Sequence, residues 1–574
     1  MSSSNTSSSN TSTSNTQFDA IVIGSGITGG WAAKELTEKG LNVLMLERGS
    51  MVEHGKDYKT EHIPPWKIPF RGKPLRELYK EEYPVQSTIY AFDETTRHFF
   101  TNDKKNPYIN DKEFLWYRAD VVGGKSLLWG RQVYRWSDLD FEANKKDGHG
   151  IDWPIRYKDL APWYSYVEKF IGVSGQAENL PQLPDSEFLP PMDMNVMEKD
   201  LKGKLEAHYD DRKMTIGRVA VLTKPHNGRG QCHYCGPCQR GCSAGAYFST
   251  QSSTLPAARK TNRLTLKSDC VVEGIDYDPQ TKKASGVRVI DANTFEKTTY
   301  TSKLVFVCAS TLASTQILLN SVSSSFPNGL ANSSGVLGHY LMDHTFQTGA
   351  IGIFNHFGDK VAYGNRPNGI YIPRFRNLKG QDEGADFVRG YGFQGSAMRA
   401  GWESLSGFVP GFGADFKHAL RKPGPWMMYI SGFGECLPYH SNRMNLVSSK
   451  KDRFGIPQVS FDFKWGENEE NMRADISQQA QEMLKAVGGV MVNPFGGGSV
   501  GGEAIHEMGT ARMGNDPTES VLNRWNQAHD VKNLFVTDGS CMTSSSCVNP
   551  SLTYMALTAR AVDYAVKQLA NGYI

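Results

Sequence analysis

The sequence predicts an α/β fold in two parts, a domain wound around a parallel sheet and a second region of mixed strands. Three observations predict it. A complete βαβ unit opens the ordered chain, apolar runs of strand length recur between residues 270 and 308, and the span 345–495 is richer in aromatics, Gly and loops. Residues 1–17, MSSSNTSSSNTSTSNTQ, are expected to form a disordered tail. Order begins at Phe18: Asp19–Ile23 is a short apolar strand, a glycine turn follows, and helical character runs through Lys39 until Gly40 stops it. Asn42–Glu47 is the second strand, and further strands are expected at 270–276, 286–290 and 303–308, with a helix over Thr311–Leu319. A Gly-rich link, 495–502, returns the chain to a strand at 534–537 and a last helix, with no internal repeat.

Composition narrows the function classes. Among 574 residues, 63 Lys and Arg face 60 Asp and Glu, a formal net charge of +3. That balance argues against a nucleic-acid footprint, which needs a clustered basic excess. With 39% hydrophobic and 21% charged residues the body buries a sizeable core, so global disorder is excluded. The tail has neither the basic start nor the apolar stretch of about 7–15 residues that a secretory signal needs. Leu304–Phe326, the longest uncharged stretch, is interrupted by Ser, Thr, Gln316 and Asn320, so the chain is expected to be soluble without a membrane span. The 57 glycines point to backbone brought close to ligands.

Gly24-x-Gly26-x-x-Gly29 lies between strand and helix, and Glu47 closes the second strand 18 residues after Gly29. Gly24 permits the tight turn, Gly26 lets backbone approach a pyrophosphate, and Gly29 lets helix and strand pack closely. Glu47 is placed to accept hydrogen bonds from an adenosine ribose. This is a dinucleotide site, and by itself it does not separate NAD from FAD.

The distant runs Val122-Gly-Gly-Lys-Ser126-Leu-Leu-Trp-Gly130 and Leu534-Phe-Val-Thr-Asp538-Gly539 tip the balance. Together they resemble the glucose–methanol–choline (GMC) family of FAD oxidoreductases, in the family's motif order over nearly all of 18–570. Cys308–Leu319 is similar to the family's second signature only loosely. The resemblance implies a Rossmann-like FAD-binding domain of residues 18–344 and 496–574, with a cysteine-bearing insertion around 228–245. It also implies a substrate domain, 345–495, built on a mainly antiparallel sheet flanked by helices. Gly123, Gly124, Ser126, Val272, Asp538 and Gly539 join Gly24, Gly26, Gly29 and Glu47 as implied FAD contacts. Some relatives attach FAD through a histidine shortly after the GGxS turn; here Leu128 stands there, which implies non-covalent FAD.

His506-Glu-Met-Gly-Thr-Ala-Arg-Met-Gly514 and Cys547-Val-Asn549-Pro550-Ser551 resemble the family's two C-terminal active-site segments. Oxidising an alcohol requires a base for the hydroxyl proton and a group that holds the oxygen while hydride leaves carbon, and imidazole suits the first task near neutral pH. The resemblance implies His506 as the base and Asn549 as its hydrogen-bonding partner. Asn549-Pro550 also reads as an N-cap with Pro at the first helical position, opening a helix with apolar residues at 552, 555, 559, 562, 566 and 569. Its positive end would face the flavin.

Four of nine cysteines fall within eleven residues, Cys232-x2-Cys235-x2-Cys238-x3-Cys242. The spacing is that of ferredoxin-like iron–sulfur ligation. A zinc site, a thioredoxin-type pair at Cys235 and Cys238, and plain surface thiols are the rival readings. Cys270, Cys308, Cys436, Cys541 and Cys547 are scattered. A branch of bacterial sugar dehydrogenases within the family carries a cysteine cluster at this place, which implies a 3Fe-4S cluster on three of the four. Such a cluster passes electrons singly from reduced flavin outward. The chain has no C-x-x-C-H haem motif, so the acceptor is expected to be a cytochrome c or another external carrier.

The branch resemblance extends to Leu341-Met-Asp-His344, Arg389-Gly-Tyr-Gly-Phe-Gln394 and the aromatic stretch Trp402–Trp426. Aromatics beside Gln suit sugar faces and hydroxyls. His344 is expected on the pocket wall rather than in catalysis. The resemblance implies a glucoside 3-dehydrogenase that makes 3-keto sugars. The alternatives are a gluconate, fructose or glucose dehydrogenase large subunit, a pyranose-oxidase-like enzyme reducing oxygen, and a non-catalytic electron-transfer subunit. In relatives with partners a small helper subunit carries the export signal, so a periplasmic and a cytoplasmic location both fit.

Overall fold

A parallel sheet covered on both faces needs strands that are apolar without interruption, and β1 (Phe18–Ile23, FDAIVI) is one, nearly all of it buried. The computed structural model describes residues 18–72, 75–379, 385–401 and 409–574; the predicted tail and Trp402 lie outside the described residues. The parallel sheet has the order β16 (Leu534–Val536), β8 (Ser302–Val307), β1, β2 (Val43–Leu46), β4 (Leu264–Lys267). Phe306 and Phe535 stack across β8 and β16 with centroids 4.9 Å apart. The strand β4 had no sequence signal, because LTLK is a short, half-exposed edge.

Small residues set how closely the covering helices approach. Ala32, Ala33 and Leu36 of α1 (Ile27–Glu38) share one core with Ala561, Val562 and Ala565 of the C-terminal helix, Ser551–Ala570. Trp31 is fully buried and meets Tyr166 and Phe170 of α2 (Tyr157–Ile171) edge-on. Lys34 is buried beside them, its ammonium 2.8 Å from both Glu35 and Glu38. The strands expected at 270–276 and 286–290 do not join the parallel sheet. They form a separate antiparallel one, β5 (Cys270–Asp278), β6 (Lys283–Asp291) and β7 (Lys297–Tyr300), that leads back into β8. Helix α3 (Thr311–Asn320) follows β8.

The second sheet is antiparallel, in the order β15 (Met491–Phe495), β9 (Thr345–Phe354), β12 (Trp426–Gly434), β11 (Tyr391–Arg399), β10 (Ile370–Ile372), β3 (Thr215–Ile216). Its edge strand β3 comes from outside 345–495. The hairpin of β13 (Arg443–Lys451) and β14 (Pro457–Asp462) turns away to pack Met444, Val459 and Phe461 on Phe114, Trp116 and Leu312. Period-two alternation gives the sheet two different faces. Phe393 and Ala397 of β11 and Met428 and Ile430 of β12 pack with Met472, Ile476, Ala480 and Met483 of α4 (Glu467–Ala486). The intervening Gln394, Ser396, Met398, Tyr429, Ser431 and Phe433 point the other way and line a cavity. Among the described residues no helix is long and apolar enough to cross a membrane.

At Gly432 the helix lies so close that a Cβ would sit 2.4 Å from Ile476 Cγ2. Gly432→Ala is therefore expected to cost about 1–3 kcal/mol by overpacking, read as a lowered thermal unfolding midpoint. Adding Ile476→Val should recover part of the loss; a further additive drop would show that this contact does not limit helix approach.

Candidate active site

The cavity, about 920 Å³, opens where the parallel strands end. Gly24 follows β1, Glu47 follows β2, Cys308 follows β8 and Asp538 lies just beyond β16, and all four line it. This is the side on which α/β sheets bind ligands. The glycines divide their work by geometry. Gly24 adopts φ +96°, and a Cβ there would meet the Cys308 carbonyl at 2.5 Å. A Cβ on Gly29 would lie 1.9 Å from the Gly24 oxygen, whereas one on Gly26 meets nothing within 4 Å. Gly26 is thus bare backbone on the cavity wall. Gly124, at φ +50°, lies beside it, where a Cβ would come to 3.7 Å of Gly26 Cα, and Gly123, at φ +99°, turns the chain behind it.

One carboxylate ties these turns together. Glu47 accepts the Ser25 amide at 2.9 Å, the Ser25 hydroxyl at 2.5 Å and the Gly49 amide at 2.8 Å. The Ser25 hydroxyl in turn accepts the Gly123 amide at 2.8 Å. Burial raises the Glu47 carboxyl above the usual range against those donors. Ser126 hydrogen-bonds the Gly123 carbonyl at 2.6 Å. Asp538 accepts the Ser540 amide and hydroxyl and the Ser314 hydroxyl, and burial raises it as well. Gly539 leaves no room for a side chain, since a Cβ there would lie 2.3 Å from Thr311 Oγ1. Val272 and Leu128 complete the lining. Every predicted cofactor-contact residue except Gly29 and Gly123 thus lies on the cavity wall, and those two support the turns from behind.

His506 and Asn549 meet at the far end. Asn549 Nδ2 lies 3.3 Å from His506 Nε2, and both residues border the cavity. The expected N-cap is not formed. The helix α5 (Ser551–Ala570) starts after Pro550, with no side-chain cap, because the Asn549 amide is engaged elsewhere: its Oδ1 accepts Gln394 Nε2 at 2.6 Å. His344 is also misplaced by sequence reasoning. It does not line the cavity but lies fully buried behind His506, the two Nδ1 atoms 2.9 Å apart. No spacing in the sequence signals a pair 162 residues apart.

Burial, then His344 and Lys125, hold the His506 imidazole well below its usual range, so it is uncharged. Asp343 fixes its backbone, accepting the Ala504 amide at 3.1 Å and the His506 amide at 3.0 Å. Those two bonds bracket Ile505, a β-branched residue at φ +64°, a conformation that persists only when its surroundings impose it. Burial and the Glu507 carboxylate push Asp343 up to about 8. Lys125 pairs with Glu507 at 3.2 Å on the cavity wall, another contact without a sequence signal.

The cysteine loop abuts this site. Cys232, Cys238 and Cys242 pack with Trp129 on a patch of Met192, Ile216, Val219, Val221 and Tyr247, while Cys235 is exposed. Trp129, Arg131 and Gln239 of the same neighbourhood line the cavity. The predicted ligand set Cys232, Cys235, Cys238 and Cys242 is not gathered as such: among the described residues no three His, Cys, Asp or Glu side chains form a metal-holding group. Burial, reinforced by the neighbouring thiols, pushes Cys232 up to about 11, and burial raises Cys238 as well, which keeps both neutral. What the loop does bring together is three half-buried thiols on one apolar patch.

Models of the GMC oxidoreductase family match residues 217–346 and 438–558. The chain belongs to the GMC oxidoreductase family. It is 29% identical to 2-methyl-1,2-propanediol dehydrogenase of Mycolicibacterium austroafricanum, over 97% of this chain and 96% of that one. It is 26% identical to the fructose dehydrogenase large subunit of Gluconobacter japonicus, covering 96% and 98%. With the gluconate 2-dehydrogenase flavoprotein of Pantoea cypripedii the identity is 25%, covering 94% and 92%. Among solved structures, pyridoxine 4-oxidase from Mesorbium loti shares the fold at TM-score 0.59 and 13% identity, over 96% of this chain and 99% of that one. This GMC protein is an oxidoreductase of alcohol or sugar CH–OH groups, and the family binds FAD. The residues present fit that group: bare backbone at the neighbouring Gly26 and Gly124 lines a cleft that also reaches His506.

Gly26→Val is expected to lower FAD per purified chain severalfold while leaving the fold intact by circular dichroism, since its side chain enters open space in the cavity. Full FAD occupancy in that variant would place the cofactor elsewhere.

Proposed function

We propose that this GMC oxidoreductase is an FAD-dependent dehydrogenase that oxidises a secondary hydroxyl of a sugar or glycoside, with C3 of a glucoside as the favoured carbon. The observation that carries the reading is the His506–Asn549 pair, set where the glycine-lined cleft meets the polar face of the antiparallel sheet. The substrate hydroxyl gives its proton to His506 Nε2, and Asn549 Nδ2 holds the oxygen as charge develops on it. FAD, when bound, supplies N5 as the hydride acceptor. Leu128 offers no nucleophile where some relatives attach the flavin, so we take the binding as non-covalent.

The sheet face supports a polyhydroxylated substrate. Gln394, Ser396 and Ser431 present hydroxyl partners, and among the described residues the Ser431 hydroxyl has no hydrogen-bond partner. Phe346, Tyr429 and Phe433 supply apolar surface beside them for C–H faces of a sugar ring. Relatives named for fructose and gluconate agree with this chemistry. We further propose that Cys232, Cys238 and Cys242, which share one apolar patch while Cys235 is exposed to solvent, would close around a 3Fe-4S cluster as it binds. Such a cluster supplies one-electron transfer toward an external acceptor such as cytochrome c. A small partner subunit would supply export to the periplasm.

The test is anaerobic mixing of the purified enzyme with glucose, methyl glucosides, gluconate, fructose and 2-methyl-1,2-propanediol, followed by flavin absorbance and product analysis. A sugar or glycoside should bleach the flavin and turn over with dye but yield little peroxide in air. Bleaching by the diol alone, or stoichiometric peroxide, would overturn the reading. His506→Ala should slow flavin reduction by about 10²–10⁴-fold with FAD retained.

Iron and acid-labile sulfide should be found in the anaerobically purified protein. Cys238→Ser should leave flavin reduction unchanged and slow cytochrome c reduction. Iron-free protein with full cytochrome activity would remove the cluster from the scheme.

A further inference from the structure

His506 can serve as a base only if the nitrogen facing the substrate, Nε2, carries a lone pair rather than a proton. The cavity itself does not decide this. On that side Asn549 presents an amide, and an amide can be turned to offer either its NH2 or its oxygen. Asn549 is hydrogen-bonded to Gln394, and Gln394 Oε1 lies 2.9 Å from Gln132 Nε2. Gln132 is bonded in turn to the Tyr134 hydroxyl, which can donate or accept. The whole row from Tyr134 to His506 thus has two self-consistent directions. In one, each group donates toward His506 and Nε2 is a lone pair. In the other every amide is reversed, Nε2 is protonated, and the base is blocked.

The opposite side of His506 breaks the tie. His344 Nε2 lies 3.2 Å from the Ser545 carbonyl oxygen, which can only accept. That nitrogen therefore carries the hydrogen. A neutral imidazole has one N–H, so His344 Nδ1 is an acceptor, and burial does keep His344 neutral, its pKa pushed down to about 4. His506 Nδ1, 2.9 Å away, must then be the donor. With its single hydrogen placed there, neutral His506 is left with a free Nε2. The amide row then settles into the donating direction, which also presents Asn549 Nδ2 to the substrate oxygen.

We propose that His344 is the positioning residue that fixes the tautomer of His506, taking its direction from the Ser545 carbonyl. The inference rests on His506 being the base. Two features of the pair suit the role. The imidazole planes are nearly perpendicular, 78° apart, so His344 meets the edge of His506 without stacking on it. His344 also stays an acceptor when His506 takes up the substrate proton, so the Nδ1 hydrogen bond persists through the reaction and steadies the imidazolium. Ser545 is itself held, its hydroxyl hydrogen-bonding the Cys436 amide at 3.0 Å and carbonyl at 3.1 Å. The sequence shows none of this: Ser545 lies in an ordinary Ser-rich run, and His344 sits outside both C-terminal motifs.

The experiment compares His344→Leu, His344→Asn and His506→Ala holoenzymes by anaerobic stopped flow, using whichever of the five compounds above reduces the parent's flavin fastest. Asn can place an amide oxygen near the His344 Nδ1 position; Leu removes the acceptor. His344→Leu should retain FAD and bind substrate within about threefold of the parent, yet reduce flavin at least about tenfold more slowly, a loss bounded by the 10²–10⁴-fold span of general-base catalysis. Its solvent deuterium isotope effect should rise, because hydroxyl proton transfer becomes limiting, and His344→Asn should recover most of the rate. A parent-like rate in His344→Leu overturns the inference. So does an equal loss in both His344 variants with an unchanged isotope effect, which is the signature of simple misfolding around the pocket. If His506→Ala itself reduces flavin at the parent rate, the base assignment fails instead, and this inference with it.

Discussion

A buried, uncharged histidine must have both ring nitrogens satisfied, and whichever partner cannot change its role decides which nitrogen keeps the proton. In this protein that partner is a backbone carbonyl, Ser545, acting on His506 through His344. The rest of the site is arranged around this constraint. Asp343 clamps the backbone on either side of a strained Ile505, which fixes the point from which the His506 side chain leaves the main chain. Asn549 gives up its place as a helix cap and directs its amide to His506 and Gln394. A local rule of helix termini is broken at the cavity wall, where such exceptions are expected.

The fold supplies these partners from elements remote in sequence. Asn549 precedes the C-terminal helix that packs on the parallel sheet, His344 precedes the first long strand of the antiparallel sheet, and Gln394 stands in the middle of that sheet's cavity face. The Gln394–Asn549 hydrogen bond therefore ties the two sheets together at the site. The opposite face of the antiparallel sheet is bound to helix α4 by close packing at Gly432, so the position of Gln394 is set from behind. Close packing resists deformation, so the sparse polar groups on the cavity face are held at fixed distances from His506.

The cysteine loop obeys a different constraint. Its three half-buried thiols share an apolar patch with Trp129, and both Trp129 and Gln239 of the loop line the cavity. Thiols that are raised by burial and by one another are stable as neutral neighbours. A metal would convert that mutual repulsion of thiolates into a favourable term, since deprotonation and ligation are coupled.

The sequence alone determined much of the fold and singled out His506 and Asn549 as the candidate pair. The βαβ unit was legible because a doubly covered strand must be apolar throughout and the turn after it must be glycine, both local requirements. The motifs around His506 and Asn549 were legible because they are contiguous. Strand β4 was missed because a short edge strand carries little burial, and 270–276 and 286–290 gave no sign that they pair with each other outside the parallel sheet. Which nitrogen of His506 faces Asn549, that His344 lies behind it rather than on the wall, and that Asn549 does not cap its helix were decided only by tertiary structure. Each depends on hydrogen bonds between residues 43 to 201 positions apart, and no local pattern encodes a direction that a distant carbonyl selects.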